Sequence, residues 1–216
     1  GIEFGFAMYK GHSVEEGFLV TGMLIPLIVP VDIPLWMLAI AVAFAVVFGK
    51  EVFGGTGMNI LNVALTARAF LFFAYPTFMS GDKIWVHEGL TNDAISGATI
   101  LGDLAGMKEG LASLRFTVED MMFGFIPGSI GETSLIAILI GAAILIITGI
   151  GSWRVMLSAV AGGAVMGLIF NAFSANGLME FPWYQHMMVG GFAFGVVFMA
   201  TDPVTAAQTN AGKWIY

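Results

Sequence analysis

Ser134-Leu135-Ile136-Ala137-Ile138-Leu139-Ile140-Gly141-Ala142-Ala143-Ile144-Leu145-Ile146-Ile147-Thr148-Gly149-Ile150-Gly151 contains no charged side chain. About 20 apolar residues carry a helix across the hydrocarbon core of a bilayer, and this run reads as such a span. Downstream, Val155 to Phe173 and Met187 to Thr201 read the same way. Upstream, Gly17 to Val29 follows Glu15-Glu16 and stops at the turn Pro30-Val31-Asp32-Ile33-Pro34. Leu35 to Gly49 returns as a second span, and Asn59 to Tyr75 reads as a third helix that ends at Pro76. Six spans predict an all-α, polytopic membrane protein, with residues 1–216 forming a single membrane domain.

Two stretches predict broken or re-entrant helices. Gly54-Gly55-Thr56-Gly57 sets small residues where a helix would have to continue, and Pro127-Gly128-Ser129-Ile130-Gly131 does the same. A third interruption is expected at Asp202-Pro203, because proline disfavours helical geometry in the residue before it. A hairpin of apolar spans precedes Asn62-Val63-Ala64-Leu65-Thr66-Ala67, and another precedes Asp202-Pro203-Val204-Thr205-Ala206-Ala207. Repeats broken at matching positions are a recurring transporter plan.

Composition agrees. Of the 216 residues, 58% are apolar and 11% charged, with a mean hydropathy of +0.89; soluble domains carry about 25% charged residues. The 29 glycines suit close helix packing in lipid. With no cysteine the chain forms no disulfide and supplies no thiolate to an iron–sulfur cluster. A formal charge of −7 excludes nucleic acid, which needs basic patches. Gly1-Ile2-Glu3 lacks the basic start of a signal peptide. A start without methionine and a stop at Lys213-Trp214-Ile215-Tyr216 predict a fragment of a longer protein.

Residues 80–117 form a polar segment between the apolar halves, and within it stands Asp93-Ala94-Ile95-Ser96-Gly97-Ala98-Thr99. This Asp-x-x-Ser-Gly-Ala-Thr pattern resembles the acceptor motif on which a separate transferase joins FMN, through its phosphate, to the threonine hydroxyl. Here the acceptor is Thr99, with Asp93, Ser96, Gly97 and Ala98 as its motif partners. Gly97 and Ala98 keep the backbone slim enough to enter another enzyme's site. The plainer alternative is a helix start, with Ser96 or Thr99 capping Ile100 to Leu104.

If the spans alternate sides, Lys10, Lys50, Arg154 and Lys213 fall on one face, while the short connections around Asp32 and from Ser174 to Gln185 hold no lysine or arginine. The positive-inside rule makes the first face cytoplasmic and the Thr99 segment extracytoplasmic. Arg68 lies inside an apolar stretch and either snorkels or holds an anionic group such as a phosphate. His12, His87 and His186 lack ligand-like spacing, so no histidine metal site is expected.

Taken together, Glu16-Gly17-Phe18, Lys50 to Gly57, Arg68 to Pro76, Ser96 to Thr99, Pro127 to Glu132, Met199 to Pro203 and Gly212 to Tyr216 resemble the B subunits of the sodium-pumping NADH:quinone oxidoreductases. The resemblance covers nearly the whole chain. The D subunits of Rnf ferredoxin:NAD complexes share the flavin motif and the Ala-Thr-Asp-Pro ending, but Arg68 to Pro76 and the Lys-Trp ending favour the quinone reductases. The resemblance implies an inverted-repeat bundle similar to urea transporters, in a bacterial inner membrane. It implies covalent FMN on Thr99, noncovalent riboflavin, and electron delivery from a neighbouring protein's flavin to ubiquinone, coupled to Na+ translocation in a multi-subunit complex. A passive channel for a small neutral solute, with no redox role, fits the broken helices equally well; the Thr99 motif is what separates the two.

Glu16, Glu132 and Asp202 each stand at the edge of an apolar span or beside broken backbone, and are expected along a sodium pathway. Carboxylates in such places need a partner, an aqueous cavity or an ion, and helix capping or interfacial water is the competing role for each.

Overall fold

The computed structural model describes residues 1–11, 13, 16–79, 85–86, 96–97, 99–106 and 116–216. They fall into two compact units, Gly1–Ser80 and Gly81–Tyr216.

In the first unit, α1 (Ile2–Lys10) precedes α2 (Gly17–Ile28), which contains Pro26 and stops before Pro30. Helix α3 (Leu35–Gly49) starts directly after Pro34, as expected, and buries Met37, Ala41, Ala45 and Gly49 at successive four-residue steps. That stripe of mostly small residues lets α4 (Val63–Ala74) approach closely, with Ala64, Ala67 and Leu71 turned inward. The helix expected from Asn59 begins only at Val63. Asn62 is its cap: Oδ1 accepts from Ala64 N at 3.0 Å and Leu65 N at 3.2 Å, which takes its own backbone out of the helix. Tyr75, held out of helical geometry by Pro76, closes α4, and α5 (Pro76–Met79) follows. Between α3 and α4 the chain makes one 3-10 turn (Glu51–Phe53) and then breaks. Gly54, Gly55 and Gly57 all take positive φ (132°, 103° and 86°), which side-chain-bearing residues rarely adopt.

The second unit opens with β1 (Trp85–Val86) paired antiparallel with β2 (Ser96–Gly97), a two-residue ladder in an otherwise helical fold. After it come α6 (Ile100–Gly106) and α7 (Val118–Phe123), the latter opened by a reciprocal cap between Thr117 and Asp120. Helix α7 stops at Gly124, whose backbone packs on Ser134, and residues 124–134 are irregular. Ser134 Oγ then caps α8 (Leu135–Ile147), accepting from Ala137 N at 3.3 Å. Helix α9 (Trp153–Phe173) is followed by α10 (Gly177–Glu180) and α11 (Trp183–His186). The span expected over Met187 to Thr201 is interrupted. Gly190 turns with φ 63°, so helix resumes only as α12 (Phe192–Phe194), which runs into π-helical Gly195–Met199. A short α13 (Gly212–Ile215) ends the unit.

Three glycines act as notches for the chain that follows α9. A Cβ at Gly141 of α8 would stand 2.5 Å from the Phe198 ring, one at Gly163 of α9 would stand 2.6 Å from Phe192, and one at Gly167 would stand 2.7 Å from Trp183 Cβ.

Leu35–Phe53 and Trp153–Phe173 are long and apolar enough to cross a membrane, and Gly17–Ile28, Val63–Ala74 and Leu135–Ile147 are shorter apolar helices. Large apolar side chains stand outward on several helices, among them Leu35, Phe73, Ile147 and Phe173. Such continuous apolar exposure is stable only against another apolar phase or a partner.

Candidate functional site

Thr99 stands between β2 and α6. Ser96 and Gly97 lie in β2, while Asp93 and Ala98 lie outside the described residues. The threonine is half-buried, and its Oγ1 accepts from Gly102 N at 3.2 Å, so Thr99 does cap α6. Capping uses the oxygen as an acceptor and does not spend the hydroxyl proton.

Helix α6 is short, and packing rather than propensity holds it. Ile100 and Leu104 enter a core with Met121, Ile126, Phe181 and Val189, flanked by Leu101, Phe116, Leu178 and Met188. Thr99 is therefore presented from an anchored helix start.

Beside it lies a cavity of about 20 Å³, lined by Thr99, Glu132 and Thr133, the turn Ile126 to Gly128, and Val189–Gly190. That is room for one water-sized group. Two residues singled out for different reasons, Thr99 for flavin and Glu132 for sodium, thus share one cavity. Glu132 is 6% exposed, and its backbone N–H donates to Ser129 O at 3.0 Å. Ser129 is fully buried, and its Oγ has no hydrogen-bond partner among the described residues. Nothing in the sequence singles out Thr133, since an uncharged residue at the end of an irregular stretch carries no motif.

Asp202 closes a local turn: Oδ1 accepts from Val204 N at 3.1 Å and Oδ2 from the Thr205 hydroxyl at 2.8 Å. Glu16 and Arg68 belong to the first unit. Glu16 is exposed, directly ahead of α2, and Arg68 is half-buried on α4. Among the described residues no three of His, Cys, Asp and Glu converge as a metal-binding group.

The first unit holds two ion pairs whose partners the sequence does not link. Lys50 Nζ donates to Glu3 Oε2 at 2.7 Å, and Lys10 Nζ donates to Glu51 O at 2.7 Å and Oε2 at 3.3 Å. Lys10 and Lys50, the markers of sidedness, therefore also tie the two ends of α1 to the broken backbone after α3.

Residues 1–216 match the model of the NQR2, RnfD, RnfE family. The B subunit of the Na(+)-translocating NADH-quinone reductase of Chromohalobacter salexigens is 51% identical over 213 residues, covering 98% of this chain and 51% of that protein. The corresponding B subunit of Stutzerimonas stutzeri is 52% identical over 214 residues, covering 98% of this chain and 52% of that protein. That of Ectopseudomonas mendocina is 50% identical over 214 residues, with 98% and 52% covered. The chain spans about half the length of the curated relatives it matches.

Proposed function

Because the chain belongs to the NQR2, RnfD, RnfE family, we propose that it forms the flavin-bearing part of the B subunit in a sodium-translocating NADH:quinone reductase. Thr99, half-buried and held at the start of an anchored helix, carries this reading. A motif threonine fully buried in a core would be closed to a transferase. FMN joined there supplies a carrier that passes electrons singly or in pairs. Among the described residues, the cavity beside Thr99, about 20 Å³, has no room for an isoalloxazine ring, so Thr99 would serve FMN as a tether through its phosphate.

Riboflavin as a second flavin, ubiquinone as acceptor, an external flavin transferase, neighbouring subunits and surrounding lipid complete the proposal. So does a bacterial inner-membrane location with Thr99 on the extracytoplasmic side. The two broken regions, at Gly54 to Gly57 and at residues 124–134, are compatible with an inverted-repeat, urea-transporter-like plan with re-entrant helices. Glu132, Asp202 and Glu16 are the proposed carboxylates of the sodium route, and Arg68 a proposed contact for a flavin phosphate. Glu132 is the strongest of these, being buried beside irregular backbone.

Peptide mass spectrometry of the intact complex, produced with its flavin transferase, tests the reading. The Thr99 peptide should carry an FMN-sized addition released by phosphodiester cleavage. An unmodified Thr99 peptide from a quinone-reducing complex would overturn it.

A further inference from the structure

We propose that Asn171 is a positioning residue for flavin attachment, holding the wall against which the Thr99 helix is seated; this rests on the reading of Thr99 as the acceptor. Asn171 lies in the apolar helix α9, where an amide is costly unless its hydrogen bonds are met. Its Nδ2 donates to Met179 O and Phe181 O, both at 2.7 Å, and its Oδ1 accepts from Trp183 N at 3.1 Å. Both donors and one acceptor site are thus spent on the backbone that follows α9.

The same helix face makes room for that backbone. Gly167 stands one turn before Asn171, and a Cβ there would strike Trp183. Glycine lets the returning chain lie on α9, and asparagine bonds it there. Phe181, whose carbonyl is one of these acceptors, is fully buried and edge-on to His186 with centroids 4.9 Å apart, while His186 Nε2 pairs with Leu178 O at 2.8 Å. Phe181 shares its core with Ile100 and Leu104, and α10 packs on α6. One side chain therefore fixes the loop whose central phenylalanine seats the acceptor helix.

Asn171→Asp keeps the size but replaces two donors with an oxygen facing two carbonyls. In membranes holding the intact complex, supplied with flavin transferase and its flavin donor, attachment to Thr99 should slow about tenfold or more, as misplacement of a reacting group does. Ser158→Ala is the matched control. It lies on the same helix and loses a bond to Lys213 O (2.9 Å) at the opposite end, and should label at the wild-type rate. The proposal is overturned if Asn171→Asp labels as fast as wild type, or if Ser158→Ala with a similar thermal midpoint loses the label equally. Hydrogen exchange on the wild type gives an answer independent of how the variants fold. The Trp183 amide and the amides of α6 should open together, and separate opening overturns the proposal. A wild type that never takes flavin counts against the acceptor reading, and the exchange result then decides the positioning claim alone.

Discussion

Lys50 Nζ lies 2.7 Å from Glu3 Oε2, with the lysine side chain 3% exposed and the glutamate 13%. Removing one member of such a pair strands the other in a poorly solvated place. Lys50→Met should therefore cost about 3–5 kcal/mol, the usual loss for a broken buried pair, and Glu3→Gln in the same chain should recover much of it. Thermal unfolding of the detergent-solubilised complex measures both. A neutral single variant would show that Glu3 is already well served by water.

Thr99 has two tasks, and its variants separate them. Thr99→Ala should abolish the flavin label and also remove the cap on Gly102 N, a loss of about 0.5–2 kcal/mol for an N-cap. Thr99→Ser keeps an oxygen for the cap and should retain part of the label. In-gel flavin fluorescence reads the first effect, and amide exchange across α6 reads the second. Flavin retained on the alanine variant would place the attachment elsewhere.

Asp202→Asn keeps an Oδ1 to accept from Val204 N, so the turn should survive the change. What it removes is the charge and the Oδ2 acceptor of the Thr205 hydroxyl, which can turn to accept from the new amide instead. If that charge serves sodium uptake, the sodium concentration for half-maximal quinone reduction should rise while flavin content stays normal. An unchanged sodium dependence, with membrane potential still generated, assigns Asp202 to the turn alone. Glu132→Gln is the parallel variant, and the more sensitive one if the buried carboxylate by Thr99 faces the ion.

The chain has no cysteine, so sidedness is open to single-cysteine labelling. Cysteines at Asp82 and Ser174 should react with an impermeant thiol reagent on intact cells, and one at Ser152 should not. The reverse pattern would invert the proposed topology.

Much of the first unit is legible in the sequence because its punctuation is strong. Pro34 opens α3 where expected, and the glycines after Phe53 break the chain where expected. Asn62 reads as part of a helix because propensity does not register a side chain that bonds its own following amides. Met187 to Thr201 reads as one span because hydropathy averages over Gly190-Gly191, although the backbone turns there. In the candidate site, Thr99 is the residue that the motif singles out. That it shares a cavity with Glu132 is not legible, because the two are brought to one cavity by Ile100 and Ile126 sharing a core. In a chain that is apolar on nearly every face, hydrophobic periodicity does not say which face packs inward. The Lys50–Glu3 pair is hidden for a different reason: two ordinary surface-type charges far apart in sequence carry no pairwise signal.

Phe192 and Phe198 occupy notches on two different helices, Gly163 of α9 and Gly141 of α8. Two pins in two holes oppose both sliding and rotation. The stretch from Phe192 to Met199 cannot ratchet past α8 without lifting one ring, and cannot turn against α9 without lifting the other. A displacement of Asp202 would then either carry α8, α9 and this stretch as one block, or begin beyond the second pin, in the few residues between Met199 and Pro203.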